Sequence, residues 1–278
     1  MSRSASKLDP GPLVHTAGRI IDHAPARLTL VRRAIAPLLL VLLWVATTLA
    51  GLIDPSVLPS PVGVAKGFAR LWTEENLAGQ IGVSLSRALL GGAIGMTFGL
   101  GFGVVAGLTR LGEELFDALL QMLRTVPFLA LVPLFIVWFG IGEFPKLLLI
   151  ALATSFPMYL NTYTGVRNVD RKVIEAARVF GLGGAQLVRA VVLPLALPSI
   201  LTGVRYALGI SVLVLVAAEQ INASSGIGYL LNSAQLYQRV DVLLICIAIY
   251  ALLGLAADLG VRLLEKLLMP WRSGVAAR

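Results

Sequence analysis

The sequence predicts an all-α integral membrane protein with six transmembrane helices and a cytoplasmic loop between the fourth and the fifth. Three observations support this fold class. Of the 278 residues, 57% are hydrophobic and only 14% are charged, whereas an ordinary soluble domain carries about 25% charged residues. Six segments are long and apolar enough to cross a bilayer core, which takes roughly 20 helical residues. Lys and Arg are concentrated in alternate loops, as membrane topology requires.

The six predicted spans follow one another from residue 35 onward. They are residues 35–53, 88–108, 119–139, 146–165, 199–219 and 242–265. Residues 1–34 form a basic tail that is too long for the n-region of a cleaved signal peptide. The tail holds His15 and His23 without further ligands, so no metal site is assigned. Residues 35–278 form the transmembrane domain.

Prolines mark two departures from straight spans. Pro59 and Pro61 indicate a turn after the first span, followed by a short amphipathic helix. Pro127 and Pro133 lie within the third predicted span, where each removes a backbone hydrogen-bond donor. We therefore expect the third span to be bent.

The positions of Lys and Arg decide the orientation. The predicted outer loops hold only Lys66, Arg70, Lys146 and Arg239, and most of the other basic residues lie in the predicted inner segments. Both termini and the loop between the fourth and fifth spans are therefore expected in the cytoplasm. The same distribution argues against a nucleic-acid partner, because the basic residues do not gather on one soluble face.

A glycine stripe runs along the second predicted span. One glycine occurs every four residues, at Gly91, Gly95, Gly99, Gly103 and Gly107. On a helix, such a stripe lets a neighbouring backbone approach closely. The partner helix lies either within the same subunit or in a second copy, and the sequence leaves both interpretations open.

A charged, glycine-punctuated segment interrupts the apolar runs between the fourth and fifth spans. It reads EAARVFGLGGAQLVRAVVLPLALPS from Glu175 to Ser199. Asp170 is the predicted N-cap of a helix that reaches about Phe180, and Gly181 provides a helix-ending position that tolerates positive φ. The pattern predicts a short, exposed helix held close to the membrane.

The residues after this helix predict a second, shorter one. Gly183 and Gly184 allow a sharp change of direction before it. Pro194 and Pro198 are expected to end it and to direct the chain into the fifth span.

The spacing of this segment resembles the EAA loop of permease subunits of binding-protein-dependent ABC importers. The resemblance rests on Glu175-Ala176-Ala177, Gly181, Val191 and Leu193-Pro194. Further stretches resemble the branch of that family that transports sulfonates, nitrate, taurine and bicarbonate, and most of all the aliphatic sulfonate permeases. They are LPSP from Leu58, QMLRTVPFLALVPLFIVWFGIG from Gln121, FPMYLNTYTGVRNVD from Phe156 and AEQINASSGIGYL from Ala218.

The resemblance implies that the EAA loop, at about 166–198, docks into a groove on a cytoplasmic ATPase. The residues that it assigns to this contact are Glu175, Ala176, Ala177, Gly181, Leu193 and Pro194. Ala176 and Ala177 are expected to give the helix a small-residue face. The implied location is the bacterial cytoplasmic membrane.

The partners implied by the resemblance are a second copy of the chain, two ATP-binding subunits, membrane lipids and a substrate-binding protein that is periplasmic or lipid-anchored. ATP is then bound by the partner ATPase and no cofactor by this chain, which carries no G-x-x-x-x-G-K-[ST] motif. The chain is therefore expected to be a transport subunit and not an enzyme.

Four polar residues near membrane level are candidates for the translocation path. They are Arg124, Asn161, Arg205 and Glu219. An ionisable residue inside a membrane segment is a functional candidate, but the two arginines are also placed to extend their charges to the inner interface. Glu219 either caps a gate together with the SSGIGYL turn or is a hydrated helix end.

The sequence also leaves alternative functions. Nitrate, taurine and bicarbonate are alternative substrates of the same machinery. A self-contained channel or secondary carrier would have no use for an EAA loop, and a proton-coupled carrier would lack its relay of ionisable residues. An intramembrane enzyme would lack a nucleophile or metal set.

Overall fold

The computed structural model describes residues 26–270, and every regular element among them is helical. The first 25 residues, which include most of the predicted tail with both histidines, lie outside the described part, as do residues 271–278. The chain divides into two units, residues 1–52 and 53–278. In the first unit, α1 covers Ala26–Leu49. It therefore begins inside the predicted tail and includes most of the first predicted span.

The second unit contains the remaining helices. They are α2 (Pro61–Glu74), α3 (Leu77–Leu108), α4 (Arg110–Thr125), α5 (Phe128–Phe139), α6 (Glu143–Arg167), α7 (Arg171–Val179), α8 (Gly184–Leu187), a π-helical turn (Val188–Val192), α9 (Leu193–Asn222), α10 (Ile227–Leu236) and α11 (Val240–Leu268). Within residues 26–270, three helical stretches are long and apolar enough to cross a membrane: α3, the continuous stretch Gly184–Gln220, and α11. Leu38–Leu49 and Ala130–Phe139 are shorter apolar helices.

Helix α3 begins eleven residues before the predicted second span. Asn76 forms its N-cap, because the Asn76 side chain accepts a hydrogen bond from the Gly79 amide at 3.3 Å. The added turns carry Ser84 and Arg87, which are buried in the protein and not exposed to lipid. Hydropathy alone misses this part of the helix because its polar residues face other protein groups.

The glycine stripe of α3 packs against α6 of the same subunit. A Cβ at Gly91 would lie 2.8 Å from the Ile150 Cβ, and a Cβ at Gly95 would overlap the Ala151 carbonyl and the Thr154 hydroxyl. The next three glycines meet Met158, Thr162 and Val166 in turn. Of the two interpretations left open by the sequence, the structure therefore supports packing within the subunit.

The order of these contacts makes α3 and α6 parallel, because each further glycine along α3 meets a residue four positions further along α6. Helix α9 packs against α6 in the opposite direction: Gly165 faces Ser199, and Gly203, further along α9, faces Asn161, earlier on α6. Helix α6 is therefore the central helix, with α3 and α9 packed against it.

The third predicted span, 119–139, is not one helix. Helix α4 ends at Thr125 and α5 begins at Phe128, with Pro127 as its N-cap in extended conformation. A proline disfavours the helical conformation of the residue before it and lacks the amide that would continue the helix. Pro127 therefore breaks the helix, whereas Pro133 is accommodated inside α5.

The expectation that Pro194 and Pro198 end the second helix of the loop is wrong. The chain stays helical from Gly184 to Asn222, with Pro194 in the first turn of α9 and Pro198 inside α9. The π-helical turn Val188–Val192 comes directly before Pro194. A π-helical turn is wider than an α-helical one, which leaves room for a proline ring that otherwise clashes with the carbonyl four residues earlier.

We predict that Gly95→Ala lowers the free energy of unfolding by about 1–3 kcal/mol, because the new methyl group overpacks the contact with α6. The measurement is denaturant-induced unfolding of the purified chain in detergent micelles. Gly101→Ala on the same helix is the matched control, because nothing lies within 4 Å of its Cβ position. We expect it to be neutral or stabilising by up to about 1 kcal/mol. Equal stability of the two variants would contradict the packing argument.

Candidate functional site

The first candidate site is α7, which lies between α6 and the long helix that contains α9. The Asp170 side chain caps it by accepting a hydrogen bond from the Lys172 amide at 2.9 Å. At the other end, the Leu182 amide donates to the Ala177 carbonyl and the Gly181 amide donates to the Arg178 carbonyl. These two bonds form a Schellman motif, which requires a left-handed residue after the helix. Gly181 meets that requirement with φ +85°.

The two faces of α7 differ sharply. Ala177 is buried, and Ile174 packs against a core cluster that contains Val169 and Val192. On the other side, Val179 and Phe180 are 86% and 85% exposed. The helix is thus attached to its own subunit by one apolar edge and presents a second apolar edge to the outside.

The predicted contact residues do not share one face. Glu175 and Ala176 are exposed, whereas Ala177 faces the core of its own subunit. Ala176 and Ala177 therefore do not form the common small-residue face that we expected, because adjacent helical residues point about 100° apart. Leu193 is partly buried against the core cluster next to α7, and Pro194 is exposed.

The second candidate site is a buried charged cluster at the opposite end of the helices. Glu219 on α9 has no exposed surface, and its carboxylate lies 2.7 Å from Nη1 of Arg87 on α3. It also accepts hydrogen bonds from the Ser84 hydroxyl at 2.8 Å and the Tyr250 hydroxyl at 3.3 Å. Glu219 is therefore not the hydrated helix end that the sequence left as one alternative.

The same carboxylate binds the turn that begins α10. The Gly228 amide donates to Glu219 at 2.9 Å, and the Ile227 amide donates to the Ser84 hydroxyl at 2.8 Å. Gly226 has φ +111°, and a Cβ there would lie 2.7 Å from Arg87 Nη1. The GIG sequence of this turn thus lets the backbone reach the Arg87–Glu219 pair.

Arg87 also ties α6 into the cluster. Its Nε and Nη2 atoms lie 2.5 and 2.6 Å from the two carboxylate oxygens of Glu143, at the start of α6. Lys146 adds a third ion pair at 3.0 Å from Glu143. Sequence reasoning missed Arg87, Glu143 and Lys146 as members of this cluster. The predicted topology places the start of the second span and the end of the fifth at the same membrane face, which is the signal that could have paired Arg87 with Glu219.

The other path candidates have separate surroundings. Asn161 on α6 donates to the carbonyl of Pro157 at 2.8 Å, within its own helix. Arg205 on α9 is ion-paired with Glu265 at 2.9 Å and with Asp258 at 3.4 Å, both on α11. Arg124 is part of α4, and its side chain lies outside the described part. The three candidates whose side chains are described therefore do not form one site.

These features define a polytopic helical membrane domain with an exposed helix at one end and a buried charged cluster at the other. Residues 95–269 match the family described as the inner membrane component of binding-protein-dependent transport systems. The chain belongs to this family, and it is a permease subunit of an ABC importer. The alternative of a self-contained channel or secondary carrier therefore falls away.

Three named permease proteins are similar to this chain over most of its length. The chain is 46% identical to the putative aliphatic sulfonates transport permease protein SsuC of Escherichia coli (strain K12), over 84% of this chain and 89% of that protein. It is 40% identical to the protein of the same name from Bacillus subtilis (strain 168), over 95% and 96%. It is 37% identical to the taurine transport system permease protein TauC of Escherichia coli (strain K12), over 85% and 88%.

Solved structures agree with the fold. A chain of the MetNI methionine ABC transporter in an inward-facing conformation aligns with a TM-score of 0.56 at 21% identity, over 67% of this chain and 94% of that chain. A chain from an amino acid ABC transporter with histidines aligns with a TM-score of 0.56 at 20% identity, over 72% and 97%. At these identities, the likeness establishes the fold.

We predict that Arg87→Met lowers the free energy of unfolding by about 3–5 kcal/mol, because it leaves the Glu219 carboxylate buried without its cation. Adding Glu219→Gln to this variant should recover part of the loss, since the second change removes the unpaired charge. The free energy of unfolding of both variants is measured by denaturant titration in detergent micelles.

The control for this prediction is Arg239→Met. Arg239 pairs with Glu75 at 2.9 Å, but both side chains are about one-third exposed, so its loss should cost about 1 kcal/mol or less. Equal stability losses in the Arg87 and Arg239 variants would contradict the prediction that the buried cluster contributes more to stability than an exposed ion pair.

Proposed function

We propose that two copies of this chain form the membrane pathway of an ATP-driven importer of aliphatic sulfonates, coupled through α7 to two cytoplasmic ATPases. The observation that carries the proposal is the combination, in α7, of the EAA spacing with an exposed apolar edge held by a Schellman motif. Such a helix is rigid, because both of its ends are hydrogen-bonded, and it still offers Val179 and Phe180 for contact with another protein. The ATP-binding site lies on the partner.

The proposed topology has six crossings, with the EAA loop between the fourth and the fifth. The parallel packing of α3 and α6 supports it, because the chain must return across the membrane between them, and α4 and α5 supply that return. Helix α6 is less apolar than its neighbours, yet α3 and α9 cover much of its surface, so it does not need a lipid-facing composition. The excess of Lys and Arg around α7 supports a cytoplasmic position for the loop and both termini.

The contacts of Arg87 and Arg205 support a pathway without a tight anion site. Arg87 and Arg205 are each paired with two carboxylates, so neither offers an unpaired positive charge that could bind a sulfonate. Selectivity then rests with a substrate-binding protein at the outer face. This arrangement fits an importer in which the membrane subunits alternate between inward-open and outward-open states.

Aliphatic sulfonates are the proposed substrates because the two relatives at 46% and 40% identity carry that name. Taurine is the second candidate, supported by the relative at 37% identity. Both compounds present a sulfonate anion, and they differ in the charge at the other end of the molecule.

We predict that Gly181→Val reduces ATP-driven uptake at least tenfold while the chain remains in the membrane. Nothing lies within 4 Å of the Cβ position, but φ is +85°, and a β-branched residue in this conformation costs roughly 1–3 kcal/mol. The Schellman motif should open, and α7 should lose its fixed position. The measurement is uptake by proteoliposomes that contain the permease, its ATPase and the substrate-binding protein, together with the amount of ATPase that co-purifies.

Gly183→Val is the matched control for the loop. Gly183 also has open space around its Cβ position, but its φ of −144° is extended backbone that valine adopts readily. We expect near-normal uptake. Equal losses in both variants, or normal uptake by Gly181→Val, would contradict the proposed coupling role.

A separate experiment tests the substrate. We expect the reconstituted importer to accumulate an alkanesulfonate only with ATP and the binding protein, with weaker competition by taurine and none by nitrate or bicarbonate. Nitrate or bicarbonate uptake without sulfonate uptake would refute the substrate assignment alone. Uptake by the isolated chain without nucleotide would refute the coupled mechanism.

A further inference from the structure

A cleft of about 980 Å³ opens between α9 and α11. It lies at the end of the bundle that carries α7, because it is formed by the first half of α9 and the last turns of α11. Its lining combines basic side chains with apolar ones, including Arg205, Arg262 and Lys266 together with Leu259 and Leu263. Neither α7 nor the buried charged cluster contributes to its lining.

The charges around the cleft are not balanced. Arg205 is bound by Glu265, and Arg262 donates from Nε to Asp258 at 2.8 Å. Lys266 makes no hydrogen bond or ion pair with any residue that the structure describes. Three cations therefore face two carboxylates, and the remaining positive charge lies beside the side chain of Arg262, which is 63% exposed. The cleft can accept an anion.

An apolar stripe leads along α11 to these cations. Leu252, Leu255, Leu259 and Leu263 are spaced by three and four residues, and each is more than half exposed. Arg262 and Lys266 share their face, because positions three and four residues apart on a helix point the same way. The surface is thus apolar over several turns and then positively charged at one end.

The cations of the cleft lie at the part of α11 that reaches the edge of a bilayer. The helix has 29 residues, a length of about 43 Å, whereas the hydrocarbon core is about 30 Å thick. Its last turns therefore extend to the level of the lipid headgroups, and Arg262 and Lys266 lie in these turns. An anion at this height with an apolar neighbour on the bilayer side has the layout of a phospholipid.

We propose that this cleft binds one anionic phospholipid, with its phosphate between Lys266 and Arg262 and its acyl chains along the leucine stripe. The site goes beyond the proposed function and does not depend on the identity of the transported compound. Free phosphate would leave the leucine stripe unused, and so would a short sulfonate. Both are compared directly with the lipid in the test.

The test is native mass spectrometry of the full chain in detergent, titrated with phosphatidylglycerol or with phosphatidylcholine of the same acyl chains. We expect phosphatidylglycerol to bind at least tenfold more tightly. The double variant Arg262→Gln/Lys266→Gln should lose about tenfold in affinity for it, because each basic residue near an anionic headgroup contributes to binding. The exchange Arg262→Lys/Lys266→Arg keeps both charges and should retain most of the binding.

The matched control is Lys66→Gln/Arg70→Gln on α2. These two residues are also four positions apart and exposed, and Arg70 likewise pairs with an aspartate, Asp241. We expect no change in phosphatidylglycerol affinity. Equal losses in both double variants would overturn the site, since they would indicate general surface attraction.

Two further outcomes would overturn the proposal. Inorganic phosphate or a short alkanesulfonate that displaces phosphatidylglycerol at equal concentration would assign the cleft to a soluble anion. Equal affinity for phosphatidylglycerol and phosphatidylcholine would show that the negative headgroup charge does not contribute to binding. Uptake of substrate is measured separately, so failure of this site and failure of the sulfonate importer are distinguishable.

Discussion

The close contact between α3 and α6 is the constraint on which the rest of the subunit depends. Five glycines remove every side chain from one edge of α3, so the two backbones approach until a single Cβ at Gly95 would overlap α6. This contact, with α9 on another side, makes α6 an interior helix that can carry Thr154, Ser155 and Thr162 without exposing them. It also fixes the distance between the ends of α3 and α9, and the Arg87–Glu219 pair needs that distance to be constant.

The two ends of the bundle are stabilised by different interactions. At one end, Arg87 and Glu219 are buried and each makes several charge-assisted hydrogen bonds, so separating the helices there would leave ions without solvent or partners. At the other end, α7 is held by backbone hydrogen bonds and one apolar edge, while Val179 and Phe180 remain exposed. The first end therefore resists separation of α3 from α9 within the subunit, and the second end leaves an apolar edge exposed for contact with another protein.

Local features could be predicted from the sequence, and features set by distant contacts could not. The Asp170 cap and the Gly181 stop of α7 depend on neighbours within a few residues, and both are confirmed. The prolines were harder, because Pro127 breaks a helix whereas Pro194 and Pro198 do not. A helix continues through a proline only where the ring does not clash with the carbonyl four residues earlier. The π-helical turn that provides this room before Pro194 has no sequence signature. The Arg87–Glu219 pair joins residues far apart in the chain, so only a correct topology could have suggested it.

The π-helical turn has a mechanical consequence. Because it accommodates Pro194 without a break, one uninterrupted helix of 37 residues runs from Gly184 to Gln220, a rod of about 55 Å. One end of this rod follows α7 after the short link of residues 180–183, and the other end carries Glu219. A tilt imposed at the α7 end is therefore transmitted through one continuous helix to the Glu219 end, with no loop between the two ends to absorb it. The two faces of the membrane are linked through one piece of backbone.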